Sequence, residues 1–479
     1  MFNNNEIKQN IEKVLSLCKE EDIYSNIMTN FFKKGILKPS IYLNSLMVLP
    51  KLNESQLEYN FKKNINKILF SIRNELKPNN HIYNVLSCIY GAFLSDALGA
   101  FCEFSKLGHN NYQKIFNNIP VFGGVKGQVT DDSEMAMSFA YGVMDNPLKN
   151  DLDINYLYFY YGAWYKSKPL DIGTTTENAF KKFDFLNFHP KKKNFNNIEN
   201  EIFTKNYNSL SNGFLMRKCT FIVWFFFRFF NSINMAFNDF NSNESLLNLY
   251  FVLRDFSRID NECTHPNMQT DAASAFYCLM ALGAIYGLKA NNILFKILSL
   301  CEDNLFLSKG DDYDKCISQL IMNTINLINK DNFQLEYYFG RPESKDCINT
   351  KAIGWYVHSF KLTLYYLKNF ELYKTKNPNN TYREIINEIC NLGGDTDTNA
   401  CVVGGVIGPL IGMFNFGDDF NKVLEVIPPN RAVYSIPLMV LYVIYLNKSN
   451  KNDELIKNDQ YFLKTILTLL YDEIELDYY

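Results

Sequence analysis

The chain has 479 residues, which at about 100–200 residues per domain allows two to four domains, or one large helical domain with attachments. Its 48 Lys+Arg against 51 Asp+Glu leave a net charge of −3, so no global basic excess draws it to nucleic acid or to an anionic membrane surface. With 47% hydrophobic and 15% aromatic residues it is not a disordered or low-complexity chain.

The first six residues, Met1-Phe2-Asn3-Asn4-Asn5-Glu6, lack a charged n-region and an apolar h-region, so no signal peptide is expected. Residues 1–80 read as a charged, Asn-rich extension with helices predicted at 7–18 and 56–74. It closes on the turn signal Lys77-Pro78-Asn79-Asn80. From His81 onward the pattern changes. Val85, Leu86, Ile89, Tyr90, Phe93, Leu94, Ala97, Leu98 and Phe101 recur at helical spacing, and Gly91, Ser95 and Gly99 form a small-residue stripe that invites close approach of another backbone.

Helical periodicity continues at 135–144, 152–165, 216–230, 246–256, 271–286, 293–300, 317–329, 351–367, 382–390, 398–413, 437–446 and 461–471, while strand alternation is nearly absent. The expectation is an all-α fold: one large domain over 81–450 and a C-terminal helix or tail over 451–479. Polar stretches at 181–208 and 304–314 look like insertions. The 11 Cys form no C-x-x-C pair and sit mostly in apolar contexts, so buried free thiols are expected, not a disulfide framework. No apolar run reaches the 18 residues of a membrane span. The expected location is intracellular, cytoplasmic or nuclear.

Two strings carry the chemistry. Gly127-Gln128-Val129-Thr130-Asp131-Asp132-Ser133-Glu134 precedes one predicted helix, and Gly393-Gly394-Asp395-Thr396-Asp397-Thr398-Asn399 precedes another. Taken alone, the first is a helix start, with a Thr or Asp cap and acids suited to the dipole. Their paired aspartates and the flanking threonines supply four carboxylates and two hydroxyls, hard oxygen donors of the kind Mg²⁺ and Mn²⁺ prefer. Acids that converge without a cation would repel one another. Glu103 lies just after a helix C-terminus, where a carboxylate opposes the dipole, and this hints at function. For Asp96, seven residues earlier, a buried acid bonding a neighbouring helix competes with a catalytic role.

Three loops supply candidate donors for a phosphate-bearing ligand: Asp171-Ile172-Gly173-Thr174-Thr175-Thr176, Ser209-Leu210-Ser211-Asn212-Gly213, and Cys263-Thr264-His265-Pro266-Asn267. Each is also readable as a plain turn. His265 reads either as a loop carbonyl's partner or as a substrate contact, and Arg217 either as a buried ion-pair partner or as a phosphate ligand.

In this order the strings resemble the ADP-ribosylglycohydrolase family. The likeness covers residues 83–420 and includes Asp96-Ala97-Leu98-Gly99 and Ser211-Asn212-Gly213-Phe214-Leu215-Met216-Arg217. The resemblance implies a single large helical domain, with the extension as an addition, and a dinuclear Mg²⁺ or Mn²⁺ centre below an ADP-ribose cleft. It implies Thr130, Asp131, Asp132, Asp395, Asp397 and Thr398 as metal ligands. Glu103, Asp131 and Asp132 would be catalytic, and Gly173, Ser209, Asn212, Gly213 and His265 would bind substrate. The implied partners are ADP-ribosylated protein or an ADP-ribose-containing small molecule, with no nucleic acid, no membrane and a monomeric state.

Two departures from the family pattern stand out. Ser95 replaces a usual Gly and implies a slightly looser helix contact, and Phe214-Leu215 replaces smaller residues and implies a narrowed or re-lined pocket. An inactive ADP-ribose-binding member of the family is the alternative, against which all six ligand positions are retained. An interaction protein working through its N-terminal extension is a third reading.

Overall fold

A computed structural model describes residues 80–104, 121–123, 127–146, 151–166, 169–184, 187–239, 242–340 and 352–417, with residues 442, 443 and 446. The chain divides into two compact units, Lys77–Ser435 and a second made of Met1–Leu76 with Ile436–Tyr479. Nearly all the described residues belong to the first unit. The helices expected at 7–18, 56–74 and 461–471, and most of that at 437–446, lie outside the described residues, as do nearly all of the N-terminal extension and the C-terminal tail.

Most of the described residues lie in helices. In order they are α1 (His81–Gly99), α2 (Asp131–Asp145), α3 (Ile154–Lys166), α4 (Thr174–Phe180), α5 (Glu199–Asn206), α6 (Lys218–Arg228), α7 (Phe230–Asn238) and α8 (Glu244–Asn261). These are followed by α9 (Met268–Tyr286), α10 (Ala290–Cys301), α11 (Asn304–Lys309), α12 (Asp312–Ile328), α13 (Tyr356–Lys376), α14 (Thr381–Leu392) and α15 (Thr396–Ile411). Among the described residues there is no β-strand, and one antiparallel bridge joins Ser211 to Trp355. The all-α expectation holds.

Asn80, the last residue of the expected linker signal, opens a helix: its side chain accepts the Ile82 N–H at 2.7 Å at the start of α1. That helix is buried from Ile82 to Gly99, as its all-round apolar sequence requires. Helices α9 and α15 are equally immersed. Outer helices bury one stripe, as α14 does through Tyr382, Ile385, Ile386, Ile389 and Cys390.

The small-residue stripe of α1 meets α15. A Cβ built on Gly91 would stand 2.4 Å from the Gly404 carbonyl oxygen, and one on Gly408 would stand 2.2 Å from the Ser87 carbonyl oxygen. Only glycine permits such an approach. Ser95 does not loosen this contact. Its hydroxyl lies 2.6 Å from both the Gly91 carbonyl and the Tyr382 hydroxyl, over Gly404, where an added Cβ would come within 2.1 Å of it. The space for the larger residue comes from the missing side chain opposite.

The apolar run expected as one helix over 216–230 ends at Arg228, and α7 leaves at 89°. The bend lets Ile233, Ala236 and Phe237 bury while Met235 stays exposed. Among the described residues no single helix is long and apolar enough to cross a membrane. The stretches read as insertions carry short helices pinned by Phe195, Ile202 and Phe306, all buried. Cysteines among the described residues are free thiols, all but Cys316 buried.

Candidate active site

The site forms where the end of α1 meets the starts of α2 and α15. Asp96, fully buried in the last turns of α1, accepts the Thr130 N–H at 3.1 Å and the Ser133 N–H at 3.2 Å. It also accepts the hydroxyls of Thr130 at 2.8 Å and Ser133 at 2.5 Å. A carboxylate of one helix thus caps the next and docks α2 on α1. Burial raises its carboxyl to about 6, against the pull of these hydrogen bonds. Thr130 occupies the N-cap position of α2 but makes no capping bond of its own. Its hydroxyl stands within reach of Asp96 and, at 3.0 Å, of Asp132 Oδ2.

The start of α15 is set by Gly393 and Gly394, whose φ values of 75° and 77° fall in the region that favours glycine. This turn delivers Asp395, Asp397 and Thr398 to the same place. Thr396 Oγ1 donates to the Gly99 carbonyl at 2.7 Å, and Thr398 Oγ1 stands 3.4 Å from Asp132 Oδ2. The Phe104 N–H donates to the Gly394 carbonyl at 2.7 Å, which ties the Glu103 loop to this turn.

One carboxylate oxygen each from Asp96, Asp132 and Asp397 lie within 4.8 Å of one another, and so do those of Glu103, Asp171 and Asp397. Asp397 joins the two groups. Burial, then Asp395, Asp171, Asp131 and Asp96, push the Glu103 carboxyl up to about 10. Burial and neighbouring acids likewise hold Asp131, Asp132 and Asp397 well above the usual carboxylate range. Among the described residues none of these acids pairs with a Lys or Arg. Glu103 Oε2 and Asp132 Oδ1 are buried with no hydrogen-bond partner. Hard oxygen donors, orphaned and mutually repelling, fit a bound divalent cation as their counter-charge. Asp171 was not expected among these acids. It stands in the string singled out for Gly173, and only tertiary convergence brings it here.

The loops lie alongside. Asn212 Nδ2 donates to Asp395 Oδ2 at 2.8 Å, and the Asn212 N–H donates to the Gly354 carbonyl at 2.8 Å. Gly354 was also missed by the sequence reading. A Cβ there would stand 3.4 Å from Asp395 Oδ2. Ser209, Ser211 and Thr175 bring three half-buried hydroxyls together, with Thr175 and Ser209 2.7 Å apart. Gly173 is exposed, with open space where a Cβ would point.

Gly213 and His265 lie deeper. Gly213 is buried under the His265 ring, and His265 itself is fully buried. Phe214, read as re-lining the pocket, is fully buried and packs on His265 and Tyr356. Arg217 proves to be a buried ion-pair partner. Its Nε meets Asp260 at 3.1 Å, beside Lys218 Nζ at 2.5 Å from the same carboxylate.

Residues 77–425 match the sequence model described as ADP-ribosylglycohydrolase. A protein of Acanthamoeba polyphaga mimivirus, provisionally named an ADP-ribosyl glycohydrolase, is 27% identical over 345 residues, covering 68% of this chain and 86% of that one. The Rhodospirillum rubrum ADP-ribosyl-[dinitrogen reductase] glycohydrolase is 29% identical over 102 residues, 20% of this chain and 34% of that one. A solved structure described as an ADP-ribosylglycohydrolase-related protein complex superposes with a TM-score of 0.50 at 15% identity, over 78% of this chain and 99% of that one, which speaks to the fold. The match over most of the chain, on a helical fold that gathers the two acidic strings, makes this chain a member of the ADP-ribosylglycohydrolase family.

Proposed function

We propose that this chain hydrolyses the N- or O-glycosidic bond at the anomeric carbon of ADP-ribosyl groups carried on protein side chains, releasing ADP-ribose. The catalytic unit is residues 81–450, acting as a monomer within the cell. The observation that carries the reading is the set of carboxylates that, among the described residues, have no Lys or Arg partner, gathered at two helix starts beside loops rich in hydroxyl and amide donors.

Thr130, Asp131, Asp132, Asp395, Asp397 and Thr398 would hold two Mg²⁺ or Mn²⁺, with Asp171 beside them; bound there, the cations would neutralise these acids and supply Lewis-acid stabilisation at the breaking bond. Glu103, whose Oε2 has no partner, moves the proton for attack or departure. Asn212 orients Asp395 through its 2.8 Å amide bond. The hydroxyls of Ser209 and Ser211 hold the pyrophosphate, and the open surface at Gly173 admits it closely. Holding that remote group fixes the scissile bond over the acids.

The test is a panel of arginine-, serine- and polymer-linked ADP-ribose substrates assayed with Mg²⁺, with and without chelator. Release by the wild type, lost with chelator and in Asp131→Ala and Asp397→Ala, supports the reading. No release from any substrate, with those variants indistinguishable from the wild type, ends it. ADP-ribose binding without release from any substrate would assign the chain to the inactive branch instead.

A further inference from the structure

His265 is fully buried, and a chain of hydrogen bonds links it to the surface. At the inner end Asp260 holds Arg217. The Arg217 guanidinium donates to the Gly213 carbonyl at 3.2 Å and to Thr264 Oγ1 at 2.9 Å. Thr264 Oγ1 stands 2.9 Å from His265 Nδ1, and His265 Nε2 stands 2.7 Å from Ser211 Oγ.

These contacts have a direction. Guanidinium only donates, so Thr264 Oγ1 accepts from Arg217 and must place its own proton elsewhere. Among the described residues the acceptor within reach is His265 Nδ1. The opposite arrangement would leave the Thr264 hydroxyl proton buried and unsatisfied, which is costly. A ring that accepts at Nδ1 carries its proton at Nε2 and donates it to Ser211. Burial, then the neighbouring Arg217, push the His265 ring well below the usual histidine range, which keeps it neutral and in this single-proton form. Ser211 Oγ therefore has a lone pair occupied by His265, and its own proton faces Thr175 Oγ1 at 3.3 Å and the half-buried cluster with Ser209.

We propose that His265 is a positioning residue that acts through Ser211: the chain Asp260–Arg217–Thr264–His265 fixes the Ser211 hydroxyl as a hydrogen-bond donor toward an anionic group of the ligand. This rests on the ADP-ribosyl reading above, with the pyrophosphate as that anionic group. It assigns His265 an indirect role, since the ring itself is sealed beneath Gly213 and Phe214.

The experiment is a double-mutant cycle read by calorimetric binding of ADP-ribose to the full chain with Mg²⁺. Ser211→Ala is expected to weaken binding about tenfold, the scale of a hydrogen bond to a charged group. His265→Asn, which keeps an acceptor for Thr264 but does not reach Ser211, should weaken it by a similar factor alone and by less than about twofold in the Ser211→Ala background. His265→Gln, with an amide N–H near the Nε2 position, should stay within about twofold of the wild type.

Thr264→Val tests the same chain from its inner end, and its loss should also vanish once Ser211 is Ala. Equal losses from His265→Asn in both backgrounds would overturn the proposal. If the wild type itself fails to bind ADP-ribose, the ADP-ribosyl reading falls and this role falls with it. Binding with additive variants sinks only the role given to His265.

Discussion

Adding one methyl group at Gly99 should damage this site more than most changes to its acids would damage the fold. Gly99 ends α1 against the first turn of α15, and a Cβ there would lie 2.4 Å from Asp397 Cα, 2.5 Å from the Thr396 carbonyl oxygen and 2.6 Å from the Asp397 nitrogen. All three are backbone atoms, so no rotamer change relieves the clash. Since carbon atoms pack best about 3.5–4.0 Å apart, α1 and α15 must separate by about 1 Å. Overpacking of this kind costs about 1–3 kcal/mol. The same shift carries Asp397 away from Asp132 and Glu103, with which it shares its two carboxylate groups.

A displacement of about 1 Å at reacting groups lowers rates about 100-fold. Gly99→Ala should therefore lose about two orders of magnitude in ADP-ribose release with only a moderate loss in urea stability. Gly173→Ala, where a Cβ meets open space, should leave stability within about 0.5 kcal/mol of the wild type. A Gly99→Ala protein with wild-type stability and wild-type turnover would refute the argument that this contact sets the spacing of the acids.

Two further outcomes follow from electrostatics. Because burial and neighbouring acids hold Glu103 up to about 10 and Asp131, Asp132 and Asp397 above their usual range, the folded chain keeps protons that the unfolded chain releases above about pH 4. Stability in chelator should then fall as pH rises from about 5 toward 9, and Mg²⁺ should raise the melting midpoint more at about pH 8 than at about pH 5. Midpoints that Mg²⁺ moves equally at both pH values would count against cation binding by these carboxylates. Asp260 offers a separate case: Asp260→Asn strips two fully buried cations, Arg217 and Lys218, of their counter-charge. It should cost about 3–5 kcal/mol in urea unfolding, whereas a loss under about 1 kcal/mol would mean the pair is dispensable.

What the sequence made legible is local. The acids of both strings sit at helix starts, as capping preference and dipole require, and Gly91, Ser95 and Gly99 fall on one face because helices repeat every 3.6 residues. What it hid depends on separation along the chain. Asn212 and Asp395, 183 residues apart, share a 2.8 Å bond, and Gly354 enters the site only because its carbonyl receives the Asn212 N–H. Asp171 looked like the edge of a glycine loop until Glu103 and Asp397 arrived beside it. Burial was the other blind spot: the sequence left His265 open between a loop carbonyl's partner and a substrate contact, and the fold buries it beside Gly213 and Phe214.

Composition averages the charge of −3 over the whole chain, while the fold gathers acids at one point. Arg217 and Lys218, which closely follow the Ser211–Gly213 loop in sequence, are committed to Asp260. An anionic ligand at this site would therefore meet neutral donors and cations held by carboxylates in place of a basic surface. Its affinity should accordingly depend far more on divalent metal than on ionic strength.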